Sequence, residues 1–270
     1  MSSSLIAGTA LVTGASSGIG AVYADRLARR GHDLLLVARN AARLEELAVR
    51  LRAETGRAVE ILPADLQQPA DVARVEQRLR EDAHIRLLVN NAGVAVAGSA
   101  TGADAARLEA MVQLNTVAAM RLAVAAGAAF KARGGGVLVN IASVLGLAPE
   151  MFNAVYAATK AFMLALSQGL AAELRDSGVR VQAVLPGATR TAIWEVAGTS
   201  VDALPPEMVM EVDDMVDAAL AGLDAGELVT IPSLPDAGDW AKLDAARLAL
   251  GPNLSRNRAA ERYRAGARAA

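Results

Sequence analysis

Thr13-Gly14-Ala15-Ser16-Ser17-Gly18-Ile19-Gly20 follows directly on a short aliphatic run and leads into a helical pattern that continues to Arg30. A strand, a glycine-rich turn and a helix in immediate succession open a βαβ unit, and that context makes the glycines a candidate dinucleotide site. Glycine reaches positive φ and lets a pyrophosphate approach the backbone, while the helix N-terminus offers the anion unpaired N–H groups and positive partial charge. Gly14, Ser16, Ser17, Gly18, Ile19 and Gly20 are therefore the first candidate cofactor residues. A tight βα turn without a ligand is the plainer alternative.

Outward from this turn, short aliphatic runs alternate with segments of 3.6-residue periodicity. Strands are predicted at 9–13, 33–38, 58–63, 87–90, 137–141, 180–185 and 228–231. Runs such as LLLV and VLVNI are apolar at successive positions, as expected of a parallel sheet covered on both faces. Repeated βα alternation implies an α/β fold, a doubly wound sheet in a single domain. Two long helices rich in small residues, 104–131 and 153–177, are apolar around much of their circumference. One face is expected to cover the sheet and the other to meet a second subunit. The stretch after Pro186, about 188–210, is predicted to form a lid. The expected division is a dinucleotide-binding and catalytic region over 1–235 and a helical, basic extension of the same domain over 236–270.

Composition narrows the function classes. Among 270 residues, 53% are hydrophobic, 21% charged and only 3% aromatic, so a core of aliphatics and alanine is available and disorder is excluded. A net charge of −2 leaves no electrostatic footprint for nucleic acid. Without cysteine there is no disulfide framework, thiolate nucleophile or zinc–cysteine site, and His32 and His84 are too few for a histidine-built metal centre, so no metal is expected. Both histidines read as surface or helix-flanking residues. The first residues lack the basic start of a signal peptide, and no run of about 18 apolar residues is found; 117–130, broken by Arg121, reads as a buried helix. A cytoplasmic protein with no membrane span is expected.

The second predicted strand ends at Arg39, where cofactors lacking a 2′-phosphate usually meet an acidic residue. A guanidinium suits bidentate phosphate contact, which favours NADP(H) over NAD(H). A solvated arginine at a strand end is the alternative. Downstream, Tyr156 and Lys160 are four apart and share a helix face. An ammonium near a phenol is expected to lower the phenol's pKa, giving a group able to exchange a proton with a carbonyl or alcohol oxygen. Ser143, at the end of the fifth strand, could donate a hydrogen bond to that oxygen.

Together, TGASSGIG at 13–20, Asp65-Leu66, NNAG at 90–93, Asn115, Ser143, Tyr156 with Lys160, Pro186-Gly187 and Thr191 resemble the short-chain dehydrogenase/reductase family over nearly the whole chain. The resemblance implies a Rossmann-like sheet of seven parallel strands and an oxidoreductase. It makes Tyr156 the general acid/base, Ser143 the group that polarises the substrate carbonyl, and Lys160 a ligand of the nicotinamide ribose. Asn115 is implied in a water-mediated relay to Lys160. Asp65 and Leu66 are implied beside the adenine, and Asn91, Ala92 and Gly93 beside the adenosine ribose. Pro186, Gly187, Thr189 and Thr191 are implied around the nicotinamide. A homodimer through the two long helices is implied, with a homotetramer left open because the chain continues about 38 residues past the last predicted strand.

Those residues are basic: positions 241–270 hold seven arginines and lysines against two acids. Such asymmetry marks an acidic partner or, more commonly, a solvated helix face. Tyr263, Leu243, Leu248 and Leu250 suggest that part of the segment packs down. The expected pocket lining, Val144, Leu145, Met151, Phe152, Ile193 and Trp194, is apolar; Trp194 is equally readable as a lid anchor. The acidic pairs Glu45-Glu46 and Asp213-Asp214 read as solvated. The sum is an NADP(H)-dependent oxidoreductase interconverting a hydrophobic ketone or aldehyde and its alcohol, working as a reductase. An NAD-dependent alcohol dehydrogenase and a dinucleotide-binding regulatory protein are the alternatives.

Overall fold

Strands that are apolar at every position need cover on both faces. The computed structural model describes residues 7–264 and provides that cover. Seven parallel strands, β1 (Thr9–Thr13), β2 (Asp33–Ala38), β3 (Val59–Pro63), β4 (Ile85–Asn90), β5 (Gly136–Ile141), β6 (Val179–Val184) and β7 (Val229–Thr230), stand in the order β3-β2-β1-β4-β5-β6-β7. Every predicted strand is present, with ends displaced by at most two residues. Helices α1 (Gly18–Arg29), α2 (Ala41–Thr55) and α8 (Val212–Asp224) cover one face; α3 (Pro69–Glu81), α5 (Ala119–Ala132) and α6 (Ala154–Glu173) cover the other. Along β1 the faces alternate: Ala10 and Val12 join Leu27, Leu44 and Leu220, whereas Leu11 joins Val75, Leu122 and Phe130.

Electrostatic contacts fix the covering helices to one another. On the first face, the buried Asp25 of α1 receives hydrogen bonds from Arg26, Arg29 and, from α2, Arg50. Arg26 reaches on to Asp213 and Asp217 of α8 at 2.6 and 2.7 Å. Asp213 is thus exposed, as expected, but also ion-paired. On the second face, Arg121 grips the buried Glu76 of α3 with two bonds of 2.9 and 2.7 Å.

The long helix predicted at 104–131 is continuous over Ala105–Ala132 but not uniform. Its first segment, α4 (Ala105–Val112), passes through a π-turn, Gln113–Ala118, into α5. By length and composition this helix could cross a membrane, but more than half of its most apolar stretch is buried inside the fold, in keeping with the expected buried helix. Arg121, which interrupts the apolar stretch, is ion-paired with Glu76. Packing of its apolar positions against β4 and β5 makes it a core helix. His32 flanks α1 as expected but is buried, with Nδ1 2.9 Å from the Gly8 carbonyl.

The chain divides into two units, 1–232 and 233–270. The second holds a helix, α9 (Ala237–Ala249), which buries no residue. Leu243, Leu248, Leu250 and Tyr263 are all exposed. The expected absence of a leader at 1–6 and the basic Arg268 lie outside the described residues.

Candidate active site

The carboxyl ends of the strands bring the singled-out residues together, the usual place for a ligand in an open α/β sheet. At the end of β1, the Thr13 hydroxyl accepts from the backbone N–H groups of Asn91 and Ala92 and donates to the Val89 carbonyl. This one side chain fixes the glycine turn against the segment after β4. Asn91 completes the link by donating to the Thr13 carbonyl at 2.9 Å, so its amide holds the turn.

Gly14 has φ +66°, and a Cβ there would lie 2.7 Å from Asn91 Nδ2 and 3.0 Å from Ala92 Cα. Gly20 is equally confined, by the Gly14 carbonyl and Asn91. Ser17 stands at the N-cap of α1 without a side-chain capping bond, and the first turn carries no acid. The first N–H groups of α1 are therefore left for an outside anion. This narrow, donor-rich cradle fits a dinucleotide pyrophosphate. Beside it, Ser16, Ser17, Arg43 and Arg50 help line an open hollow of about 410 Å³. Arg39, past the end of β2, is exposed and makes no hydrogen bond or ion pair among the described residues. Ile19 is partly buried against the first core.

After β3, Asp65 closes a local turn by accepting from Gln67 N at 3.1 Å, and Leu66 is buried in the second core. On the far side of the cradle, Gly93 abuts both Asn115 and Lys160: a Cβ there would lie 3.1 Å from Asn115 Oδ1 and 3.7 Å from Lys160 Nζ. Asn115 lies in the π-turn. Its Oδ1 accepts from Val94 N, and its Nδ2 donates to the Val94 carbonyl and to Thr159 Oγ1. The amide thereby ties the 91–94 segment to Thr159 of α6.

Ser143 follows β5, and its Oγ accepts from Leu145 N at 3.2 Å. Tyr156 and Lys160 project from α6, both buried, with Lys160 Nζ 5.6 Å from the Tyr156 ring centre. Lys160 gives a hydrogen bond to the Ile141 carbonyl at 3.0 Å. The expected lowering of the phenol pKa is not found. Burial pushes Tyr156 up to about 12, outweighing the opposing hydrogen bond with Ser143, and burial drives Lys160 down to about 8. Spacing along a helix gives proximity, but it says nothing of how dry the site is, and desolvation dominates here.

An apolar wall faces Tyr156. Leu145, Phe152 and Ile193 belong to it, as expected, and so do Val94, Val96 and Met111, which the sequence reading did not single out. The Phe152 ring meets Tyr156 edge-on at 5.7 Å and Trp194 edge-on at 6.4 Å. Met151 is exposed at the rim.

The predicted lid is a loop pinned at both ends. Thr189 bridges to Met210, and Arg190 pairs with Asp202 and Glu211 at 2.7 and 2.9 Å. Within it, α7 (Ile193–Ala197) carries Trp194, whose Nε1 donates to the Thr189 carbonyl at 2.9 Å; Trp194 thus anchors the lid while its ring meets the apolar wall. Thr191 lies over the glycine turn, 3.3 Å from where a Gly18 Cβ would stand. Pro186 and Gly187 lead into this segment, and their carbonyls accept from Ser143 Oγ and Thr189 Oγ1. Asn153, also unanticipated, caps α6; an asparagine just before a helical pattern is the signal that could have found it.

The profile of the short chain dehydrogenase family matches residues 8–201. This chain belongs to that family. As a short-chain dehydrogenase it is an oxidoreductase acting on a CH–OH or carbonyl group with NAD(P). It is 57% identical to a short-chain dehydrogenase of Sphingobium yanoikuyae solved in complex with NADPH; the match covers 95% of this chain and 100% of that one, with a TM-score of 0.92. It is 51% identical to the bulky-bulky ketone specific alcohol dehydrogenase of Comamonas testosteroni, over 95% and 98% of the two chains, with a TM-score of 0.87. A very-long-chain 3-oxoacyl-CoA reductase of Anas platyrhynchos is 30% identical over 73% of this chain and 65% of its own length.

Proposed function

We propose that this short-chain dehydrogenase is an NADP(H)-dependent reductase of hydrophobic ketones or aldehydes, working in the cytoplasm as a homodimer. The observation that carries this reading is the placement of Ser143 and Tyr156 at the meeting point of the apolar wall and the glycine cradle. Hydride transfer is the chemistry a bound nicotinamide would supply.

The residues divide the remaining work. Ser143 Oγ would donate to the substrate carbonyl oxygen and polarise it. Tyr156, protonated at neutral pH and kept so by burial, would deliver a proton to the oxygen as it gains charge. Lys160, fixed by the Ile141 carbonyl, would hold the nicotinamide ribose, with Asn115 bracing the floor beside it. The turn from Gly14 to Gly20 would cradle the pyrophosphate. Asp65, Leu66, Asn91, Ala92 and Gly93 would border the adenosine, and Pro186, Gly187, Thr189 and Thr191 the nicotinamide.

The NADP(H) preference is supported by the unpaired Arg39, with Arg43 beside the hollow next to the glycine turn, and by the NADPH-bound Sphingobium relative. Two bulky groups on the carbonyl are supported by the apolar wall and by the specificity stated for the Comamonas enzyme. Dimerisation through the long helices is supported by Val117, Val124 and Phe162, which stand exposed on them.

The test follows NADPH consumption with alkyl–aryl and diaryl ketones, in the wild type and in Tyr156→Phe. The reading expects turnover that the substitution abolishes while NADPH still binds. No turnover across the series, or turnover that survives Tyr156→Phe, would overturn it.

A further inference from the structure

A helix N-cap ordinarily needs only an acceptor, and it ordinarily sits at the surface. Asn153 satisfies the first need: its Oδ1 accepts from Val155 N and from Tyr156 N at 3.0 and 3.2 Å. It departs from the second, being 2% exposed. Its Nδ2 donates to the carbonyl of Gly98, 55 positions earlier, at 3.0 Å. Gly98 stands at φ +83°, a left-handed backbone that glycine adopts readily.

The preceding residue continues the connection. Ala97 N donates to the carbonyl of Ala197, the last residue of α7, at 3.1 Å. A single string of hydrogen bonds therefore runs from the lid helix through Ala97 and Gly98 to Asn153, and from Asn153 to the backbone N–H of Tyr156. A residue serving only as a cap would require neither the amide donor nor the burial.

We propose that Asn153 is a positioning residue that sets Tyr156 in register with the substrate wall and the lid. The proposal rests on Tyr156 being the proton donor. Asn153 touches no reacting atom; it acts by fixing where α6 begins relative to the 94–98 segment, whose Val94 and Val96 form part of the wall facing the phenol. Displacement of a reacting group by a fraction of an ångström lowers the rate of the chemical step with little effect on binding.

The test compares Asn153→Ser, Asn153→Asp and Tyr156→Phe in the full chain. Serine and aspartate both keep a capping acceptor, so helix and fold are retained. Serine is too short to reach the Gly98 carbonyl, and an ionised aspartate has no proton to give it. Each is expected to lower kcat for an apolar ketone about tenfold, measured well below the variant's own thermal midpoint, while substrate KM and NADPH Kd stay close to wild type. If Asn153→Ser unfolds, Asn153→Asp decides the matter. Unchanged kcat in a folded Asn153 variant overturns the proposal, as does a kcat loss that only follows a lowered thermal midpoint. Turnover that survives Tyr156→Phe removes the catalytic reading and this inference with it. Turnover lost in Tyr156→Phe but kept in Asn153→Ser removes the positioning role alone.

Discussion

Lys160 and Tyr156 share one buried helix face, the Lys160 ammonium lying 5.6 Å from the Tyr156 ring centre while it donates to the Ile141 carbonyl. Dryness pushes the two groups in opposite directions, the phenol up to about 12 and the ammonium down to about 8. Reduction needs a protonated phenol and oxidation a phenolate. Reduction is therefore expected to be level between pH 6 and 7.5, and alcohol oxidation to climb with pH through the alkaline range, measured as initial rates in both directions. An oxidation rate that falls from pH 7 to 9 would contradict the assignment of Tyr156.

Stability should register Lys160 separately. Between about 8 and its ordinary 10.5, the unfolded chain carries a proton that the folded chain has released, so this lysine makes stability rise with pH across that interval. Below it, the buried ammonium carries a cost on the order of 3 kcal/mol. Lys160→Met, inactive as an enzyme, is expected to melt above wild type at pH 7, with the difference shrinking as pH approaches 10. Thermal unfolding at a series of pH values reads this directly; a difference that widens with pH would refute it.

Arg39 is expected to discriminate between cofactors. Arg39→Ala should weaken NADPH binding about 10- to 100-fold and leave NADH binding unchanged, since only the former carries the extra phosphate. Calorimetric titration with each nucleotide separates the two, and an equal loss for both would assign Arg39 a different role.

Asp25 pairs with Arg26 and Arg29 of its own helix, α1, and with Arg50 across on α2. Burial alone would raise its carboxyl pKa, but the hydrogen bonds from Arg29, Arg26 and Arg50 hold it below the usual range. It therefore stabilises the fold at neutral pH, and that contribution is lost as pH falls through its folded pKa. Because the arginines are partly solvated, Asp25→Asn should cost about 2 kcal/mol at pH 7 and less at a pH below the ordinary carboxylate range. Urea unfolding at the two values provides the comparison, with equal losses counting against the ion-pair account.

Much of this architecture was legible in the sequence because its signals are local. Strands β1 and β2 are apolar at successive positions, and the glycine turn lies directly between β1 and α1. Tyr156 and Lys160 face the same way because helical spacing requires it. What escaped depended on residues distant in the chain. Thr13 reads as an ordinary strand end until Asn91 and Ala92 are placed against its hydroxyl. Val94 and Val96 follow a recognised motif, yet only the folded chain sets them opposite Tyr156. The π-turn around Asn115 has no periodicity that separates it from the α-helix on either side. The direction of the Tyr156 shift was misjudged because burial is set by the whole molecule.

The pairing of β1 with β4 has a consequence for biosynthesis. On leaving the ribosome, the glycine turn is followed by β2, α2 and β3, none of which supplies the partners of the Thr13 hydroxyl. Those partners, Asn91 and Ala92, emerge only with the end of β4, and Lys160 emerges later still. A nascent chain shorter than about 90 residues therefore lacks the partners that fix the glycine turn, and the turn gains its full set of hydrogen bonds only once β4 has taken its place beside β1.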